Sequence, residues 1–318
     1  MARVLVTGGA GFIGSHCIDS LLARRDSVIC VDNFNDYYDP KKKRLNIKDY
    51  VKSNNYSLVV SDVADYKSMR SVFEKHKPDK VLHLAARAGV RASLKDPLEY
   101  VRSNVNGTAT LLECAREFDV RDFVFASSSS VYGANKKVPF SEDDPVEEPV
   151  SPYAATKRMC EVLASNYSRM GLRIAALRFF TVYGPRNRPD MAIYKFAKSI
   201  VSGEELTVYG KCDEVKRDWT FIEDIVQGTL AVLDNVHRFS FEVFNLGNCK
   251  PEPVIYLVKL LEKNLKMSAK VRRAPLPAVD VPITYADTSK MERLLRWRAR
   301  TPLEEGVERF CKWYLSQG

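Results

Sequence analysis

Apolar positions in the first 180 residues fall into two alternating kinds of run. Short stretches rich in β-branched and aromatic residues, at 3–7, 27–31, 56–60, 80–86, 122–126 and 173–180, have the composition of buried strands. Between them apolar residues recur at helical spacing. Ile13, Cys17, Ile18, Leu21 and Leu22 mark the first helix, and others are predicted at 67–76, 98–118 and 152–170. The last has Ser151 and Pro152 as N-cap and first-turn residues and Gly171 as its stop. Unbroken strand–helix alternation specifies an α/β fold with a doubly wound parallel sheet. Beyond residue 181 the pattern changes. Helices at 192–201, 223–234, 253–265 and 303–315 are interspersed with short strands such as 206–209 and 242–246, which predicts a smaller C-terminal α/β substrate domain. No clear linker intervenes. The expected division is 1–180 for the first domain, with elements returning around 218–246, and 181–318 mainly for the second.

The first strand runs straight into Gly8, Gly9, Gly11 and Gly14, and a helix follows. Gly9-x-Gly11-x-x-Gly14 between a strand and a helix is the context in which this spacing signals a dinucleotide site in a Rossmann-type domain. Glycines permit the tight turn and let backbone approach a pyrophosphate, while the helix N-terminus offers N–H donors. The second strand leads into Asp32, whose carboxylate can accept from both ribose hydroxyls and repels a 2′-phosphate, favouring NAD over NADP. Asp62 ends the third strand, where its side chain suits either a base-edge contact or the N-cap of the helix at 67–76. At 80–86 the strand runs into small residues, which close backbone approach by a cofactor requires.

Composition is that of an ordinary globular protein, with 45% hydrophobic and 28% charged residues. The net charge of +9 is dispersed except for Lys41–Arg44, a solvated loop or a lysine reaching the cofactor's adenosine end. No aromatic-interleaved basic stripe accompanies it, so nucleic acid is not an expected partner. Seven scattered cysteines without a CxxC pair read as reduced, mostly buried thiols, and four histidines without ligand spacing predict no metal site. A strand beginning at residue 3 leaves no room for a leader, and no apolar run reaches spanning length. The expectation is a cytoplasmic protein without membrane partners.

The chemistry-bearing residues cluster after the fifth strand. Ser127-Ser128-Ser129-Ser130-Val131-Tyr132-Gly133 follows that strand, and Tyr153 and Lys157 lie four apart on one helix face. An ammonium one turn from a phenol, with a serine hydroxyl able to bond the same substrate oxygen, forms a proton-transfer device beside a hydride acceptor.

These segments together resemble the extended short-chain dehydrogenase/reductase family of nucleotide-sugar-modifying enzymes. The likeness is carried by TGGAGFIG at 7–14, HLAA at 83–86, SSSSVYG at 127–133, SPYAATK at 151–157, RFFTVYGPR at 178–186, RDWTFIED at 217–224, NLGN at 245–248 and YADTSK at 285–290, and covers essentially the whole chain. Within the family, segments 31–40, 88–91 and 184–191 most resemble the UDP-glucuronate 4-epimerases.

The resemblance implies bound NAD held by Gly8, Gly11, Phe12, Ile13, Gly14, Asp32, Asn33, Asn35, Lys43, Asp62, Val63, Leu84, Ala85, Ala86, Asn104, Tyr153 and Lys157. It implies Tyr153 as base for the 4-hydroxyl, Lys157 as its tuner and Ser128 as a hydrogen-bond partner of the reacting oxygen. Hydride leaves C4 for NAD⁺ and returns to the opposite face after the 4-keto UDP-sugar turns about its diphosphate. Ser130 stands where dehydratases and uronate decarboxylases of the family carry glutamate. Ser129, Ser130 and Thr181 are the candidate carboxylate cradle, and Arg188, Arg217 and Asp280 candidate nucleotide-sugar contacts. Arg87 replaces a more usual neutral residue, either for a phosphate contact or facing solvent. A homodimer through the helices at 98–118 and 152–170 is expected by resemblance, although either helix could instead pack on the sheet. A 4-epimerase of a neutral UDP-sugar is the alternative reading, and a decarboxylase a more remote one.

Overall fold

The computed structural model describes residues 1–210, 213–277 and 280–317; Cys212 and the Ala278-Val279 pair lie outside the described residues. In chain order the strands are β1 (Arg3–Thr7), β2 (Ser27–Asp32), β3 (Tyr56–Val60), β4 (Lys80–His83), β5 (Asp122–Ala126), β6 (Arg173–Phe179) and β7 (Thr181–Tyr183). They continue with β8 (Glu205–Tyr209), β9 (Lys216–Phe221), β10 (Phe241–Leu246), β11 (Pro251–Pro253), β12 (Lys270–Ala274) and β13 (Ile283–Thr284). The chain forms two compact units. Met1–Asn135, Pro145–Arg178 and Val226–Phe244 make the first; Lys136–Asp144, Phe179–Ile225 and the chain from Asn245 make the second.

The first unit is built on a seven-stranded sheet in the order β10-β6-β5-β4-β1-β2-β3. Pairings from β3 across to β6 are all parallel. This is the Rossmann-type doubly wound α/β architecture the alternation predicts. Leu5, Val31, Val81, Phe123, Phe125 and Ile174 on the strands pack with Phe73, Leu111, Leu112, Cys160 and Ala164 on the helices in one cluster of buried side chains. Each large side chain buried there contributes about 1.5–3 kcal/mol relative to exposure.

Several elements differ from the pattern-based expectation. The fourth strand stops at His83, so Leu84–Ala86 is irregular backbone at its end. The helix expected at 98–118 is Pro97–Tyr100, a π-helical stretch Val101–Asn106, and then Gly107–Glu117. Buried Asn104 lies in the π-helical stretch, where its side chain makes hydrogen bonds outside the helix. Lys41–Arg44 is not loop: Pro40–Ile47 is a helix, because Pro40 suits its first turn and the Asp39 carboxylate accepts from the Lys41 N–H. The Asp62 side chain does not cap a helix; it accepts from Ala64 N, and Asp65 caps Tyr66–His76. Cys249 is exposed, unlike the other described cysteines. Among the described residues no helix is long and apolar enough to cross a membrane.

In the second unit β9 pairs antiparallel with β11 and parallel with both β13 and β7, while β8 and β12 form a separate parallel ribbon. β9 and β12 escape the apolar pattern because Lys216-Arg217-Asp218 and Arg272-Arg273 interrupt it, and β7, β11 and β13 because they are only two or three residues long. Asp218 is fully buried and ties the unit together. Its carboxylate accepts from Thr220 Oγ1 and from the backbone N–H groups of Asn248, Cys249 and Ala286 at 2.6–3.1 Å.

Candidate active site

The glycine turn is closed by backbone: Gly8 N donates to Val31 O at 2.7 Å and Gly11 N to Gly8 O at 3.0 Å. Gly8 has φ +65°, and a Cβ there would lie 2.7 Å from Ala85 N. A Cβ on Gly14 would lie 2.3 Å from Gly8 O, so the helix Phe12–Ala23 approaches the turn more closely than any side chain allows. Gly11, the N-cap, contributes no side-chain acceptor, which leaves the first N–H groups of this helix to a ligand.

Asp32, at the end of β2, is buried and accepts from Ala10 N at 3.2 Å and Phe34 N at 2.9 Å. Each oxygen retains further lone-pair capacity for a ribose hydroxyl. Lys43 is turned inward and buried. Its ammonium lies 3.7 Å from Asp32 Oδ1 and donates to Asn35 Oδ1 at 3.1 Å. Asn33 and Asp62 also meet, at 3.4 Å, and Arg102 reaches the same Asp62 oxygen at 2.9 Å. Val63 is buried against Gly107, and Phe12 and Ile13 begin the helix after the turn.

At the end of β4, Leu84 N bonds Thr7 O and Ala85 N bonds Thr7 Oγ1, while Ala86 is exposed. Asn104 holds the next residue through both backbone groups: its Oδ1 accepts from Arg87 N at 2.8 Å and its Nδ2 donates to Arg87 O at 3.0 Å. Arg87 does not simply face solvent. Its guanidinium lies 3.6 Å from Glu99 and 3.9 Å from Asp96. Two tyrosines without an assigned role on sequence, Tyr37 and Tyr100, both donate to Ala88 O, at 2.6 and 2.9 Å.

His83 is buried between Thr7 and Thr108, and burial, reinforced by the Lys157 charge, pushes its pKa down to about 3. It is neutral in the fold and protonates on unfolding below its ordinary value of 6.5. The unfolded chain then binds more protons, so stability falls as pH drops through 6.5 and this contribution levels off near 3. The slope from this one residue approaches about 1.4 kcal/mol per pH unit. Urea midpoints of His83→Gln measured from pH 6.5 down to 4 should show a flatter decline than wild type; an equal slope would assign the acid sensitivity elsewhere.

The candidate catalytic cluster lies where β5 ends. Ser128 is buried; its Oγ accepts from Ser130 N and donates to Ser130 Oγ, both at 3.1 Å, at the start of the 3₁₀ turn Ser129–Tyr132. On the helix Pro152–Arg169, capped by Ser151 Oγ, Tyr153 and Lys157 are both buried. The Lys157 ammonium donates to Ala126 O at 2.7 Å, and the Tyr153 ring meets Tyr100 edge-on with centroids 6.2 Å apart.

The remaining candidates belong to the second unit. Thr181 is half-buried at the start of β7, beside Trp219 of β9. Arg188 forms a two-point pair with Asp190 at 2.9 and 2.8 Å. Arg217 Nη1 donates to Lys216 O and Pro282 O, both at 2.8 Å. Asp280 is half-buried, with its N–H bonded to Pro277 O.

The glycine cradle, the uncapped helix start and the Asp32 carboxylate fit a dinucleotide; the Ser128 hydroxyl follows the end of β5, and Tyr153 and Lys157 lie on the helix tied to that strand end. Fold and site together define an NAD-binding enzyme of the extended short-chain dehydrogenase/reductase class. The chain belongs to the GDP-mannose 4,6 dehydratase family, whose model matches residues 5–310. It is 44% identical to UDP-glucuronate 4-epimerase 4 of Arabidopsis thaliana over 98% of this chain and 75% of that protein. A UDP-glucuronic acid 4-epimerase from Bacillus cereus, solved with UDP-glucuronic acid and NAD, is similar with a TM-score of 0.93 and 33% identity, covering 99% of this chain and 100% of that one. A UDP-glucose 4-epimerase from Thermotoga maritima, solved with UDP-glucose, gives a TM-score of 0.88 and 31% identity over 99% of both chains.

Proposed function

We propose that this chain interconverts UDP-glucuronate and UDP-galacturonate. It is an NAD-dependent nucleotide-sugar 4-epimerase, an isomerase. The observation that carries the uronate reading is the 44% identity, across nearly the whole chain, to a UDP-glucuronate 4-epimerase. Ser130 adds support, since it offers a hydroxyl where elimination or decarboxylation would call for a carboxyl group.

When bound, NAD supplies the hydride acceptor and donor for the sugar's C4. Tyr153 takes the 4-hydroxyl proton and later returns it, with Ser128 bonding the same oxygen. Lys157, anchored on Ala126 O, keeps its positive charge one helical turn from the phenol. Ser129, Ser130 and Thr181 are the proposed hydroxyl cradle for the uronate carboxylate, and Arg188, Arg217 and Asp280 the proposed contacts to the nucleotide-sugar. Arg188 must share or exchange its Asp190 partner to serve an anion.

A homodimer through the helical stretch from Pro97 to Glu117 and the helix Pro152–Arg169 belongs to the same proposal. Each helical path buries one face in the core, and Leu98, Val101, Met159 and Val162 are exposed.

Proton NMR of UDP-glucuronate incubated with purified protein, without added cofactor, tests the reading. UDP-galacturonate is the expected product, at equilibrium with substrate and with no free NADH. Formation of a UDP-pentose would mean decarboxylation. Turnover of UDP-glucose or UDP-N-acetylglucosamine with an inert uronate would move the assignment to a neutral sugar.

A further inference from the structure

Behind the reactive cluster lies a buried carboxylate that the reaction as described does not use. Glu161 stands one turn past Lys157 on the same helix and is 1% exposed. Its Oε1 accepts from Ser127 Oγ at 2.7 Å and from Arg178 Nε at 2.9 Å. Its Oε2 accepts from Arg178 Nη2 at 3.0 Å and from Arg158 Nη1 at 3.3 Å. Arg178, near the end of β6, is itself buried, and its guanidinium lies 4.8 Å from the centre of the Tyr132 ring. A buried ion pair is a weak source of stability, because desolvation consumes most of its Coulombic gain and a packed apolar pair often does as well. What this one adds is geometry.

The end of β5 is tied to the Tyr153 helix at two successive residues: Ala126 O holds Lys157, and Ser127 Oγ holds Glu161. The next residue is Ser128, and one turn before Lys157 is Tyr153. Helix positions 153, 157 and 161 share one face, so the two ties fix the height and rotation of that face against the strand end. Arg178 extends the hold to Tyr132, on the same 3₁₀ turn as Ser129 and Ser130.

We infer that Glu161, with Ser127 and Arg178, forms a positioning clamp that sets the separation of the Tyr153 and Ser128 hydroxyls and thereby the rate of proton transfer. The inference rests on the catalytic reading of Tyr153 given above. It specifies a role for three residues that need not touch the substrate.

Ser127→Ala tests it, since this change removes one tie and leaves the Glu161–Arg178 pair intact. Rates are measured with UDP-glucuronate, or with UDP-glucose if the wild type turns over only that. A small displacement of reacting groups is expected to lower kcat about ten-fold, with KM within about two-fold and bound NAD unchanged. Ser127→Thr, which keeps the hydroxyl, should restore most of the rate. Tyr153→Phe is measured alongside. An inactive Tyr153→Phe beside a Ser127→Ala with wild-type kcat and KM overturns the clamp alone. An active Tyr153→Phe overturns the reading of the phenol, and the clamp with it.

Discussion

Tyr153→Phe is expected to lower kcat by at least about 10²-fold while leaving the fold and the bound NAD in place. The ring is nearly buried and is steadied by the edge of Tyr100, contacts that phenylalanine reproduces. Lys157 keeps its bond to Ala126 O, and the helix keeps its Ser151 cap. What disappears is the hydroxyl proposed to take a proton from the sugar and give it back. Loss confined to kcat, with KM for the UDP-sugar and the melting temperature nearly unchanged, is the signature of an interaction made in the transition state. The readout is initial rates of epimerisation by NMR together with the nucleotide content of the purified variant. Wild-type turnover would assign proton transfer to another group.

The second large effect should come from a single methyl group. In Gly14→Ala the new Cβ meets Gly8 O at 2.3 Å and Gly9 Cα at 2.8 Å, both backbone atoms that no rotamer change can move. The helix and the glycine turn must separate, which displaces the N–H groups proposed to meet the pyrophosphate. Overpacking of this kind costs about 1–3 kcal/mol of stability. NAD retention should fall much further on the proposed placement, because the last glycine sets how closely the helix N-terminus packs on the turn that would hold the pyrophosphate. Nucleotide released by acid and quantified per protein chain should drop from near stoichiometric to a few per cent. A full complement of NAD would mean that the cradle is not where the pyrophosphate lies.

Much of this architecture was legible because its signals are local. The strand–glycine–helix junction, Asp32 and the four-residue spacing of Tyr153 and Lys157 are properties of short segments. Elements governed by tertiary partners were not. β9 reads as polar because Asp218 lies within it, and only the folded chain shows that carboxylate bonded to Thr220 and three backbone N–H groups. The helix over Lys41–Arg44 follows from Asp39 and Pro40, a cap and first-turn pair that a turn-rich neighbourhood conceals. Periodicity runs straight through 98–118 and cannot register the π-helical stretch at Asn104, whose side chain bonds to Arg87. Glu161 had a visible cue, since it continues the spacing of Tyr153 and Lys157, but its partners Ser127 and Arg178 come from the residue after β5 and from β6.

The interleaved make-up of the two units bears on how the chain is synthesised. The edge of the first sheet beyond β6 is occupied by β10, which begins only at Phe241. A ribosome that has delivered β1 to β6 has made an incomplete sheet whose β6, six of its seven residues buried in the finished fold, is still an open edge. That edge must stay unpaired while the residues up to β10 are translated and clear the exit tunnel, roughly several seconds at typical elongation rates. During this interval it is a template for wrong pairing. A fragment cut near residue 180 would carry the same exposed edge permanently, so truncation is a poor route to an isolated NAD-binding domain. A shortened chain that keeps β10, joined by a brief linker in place of the second unit's residues, would close it.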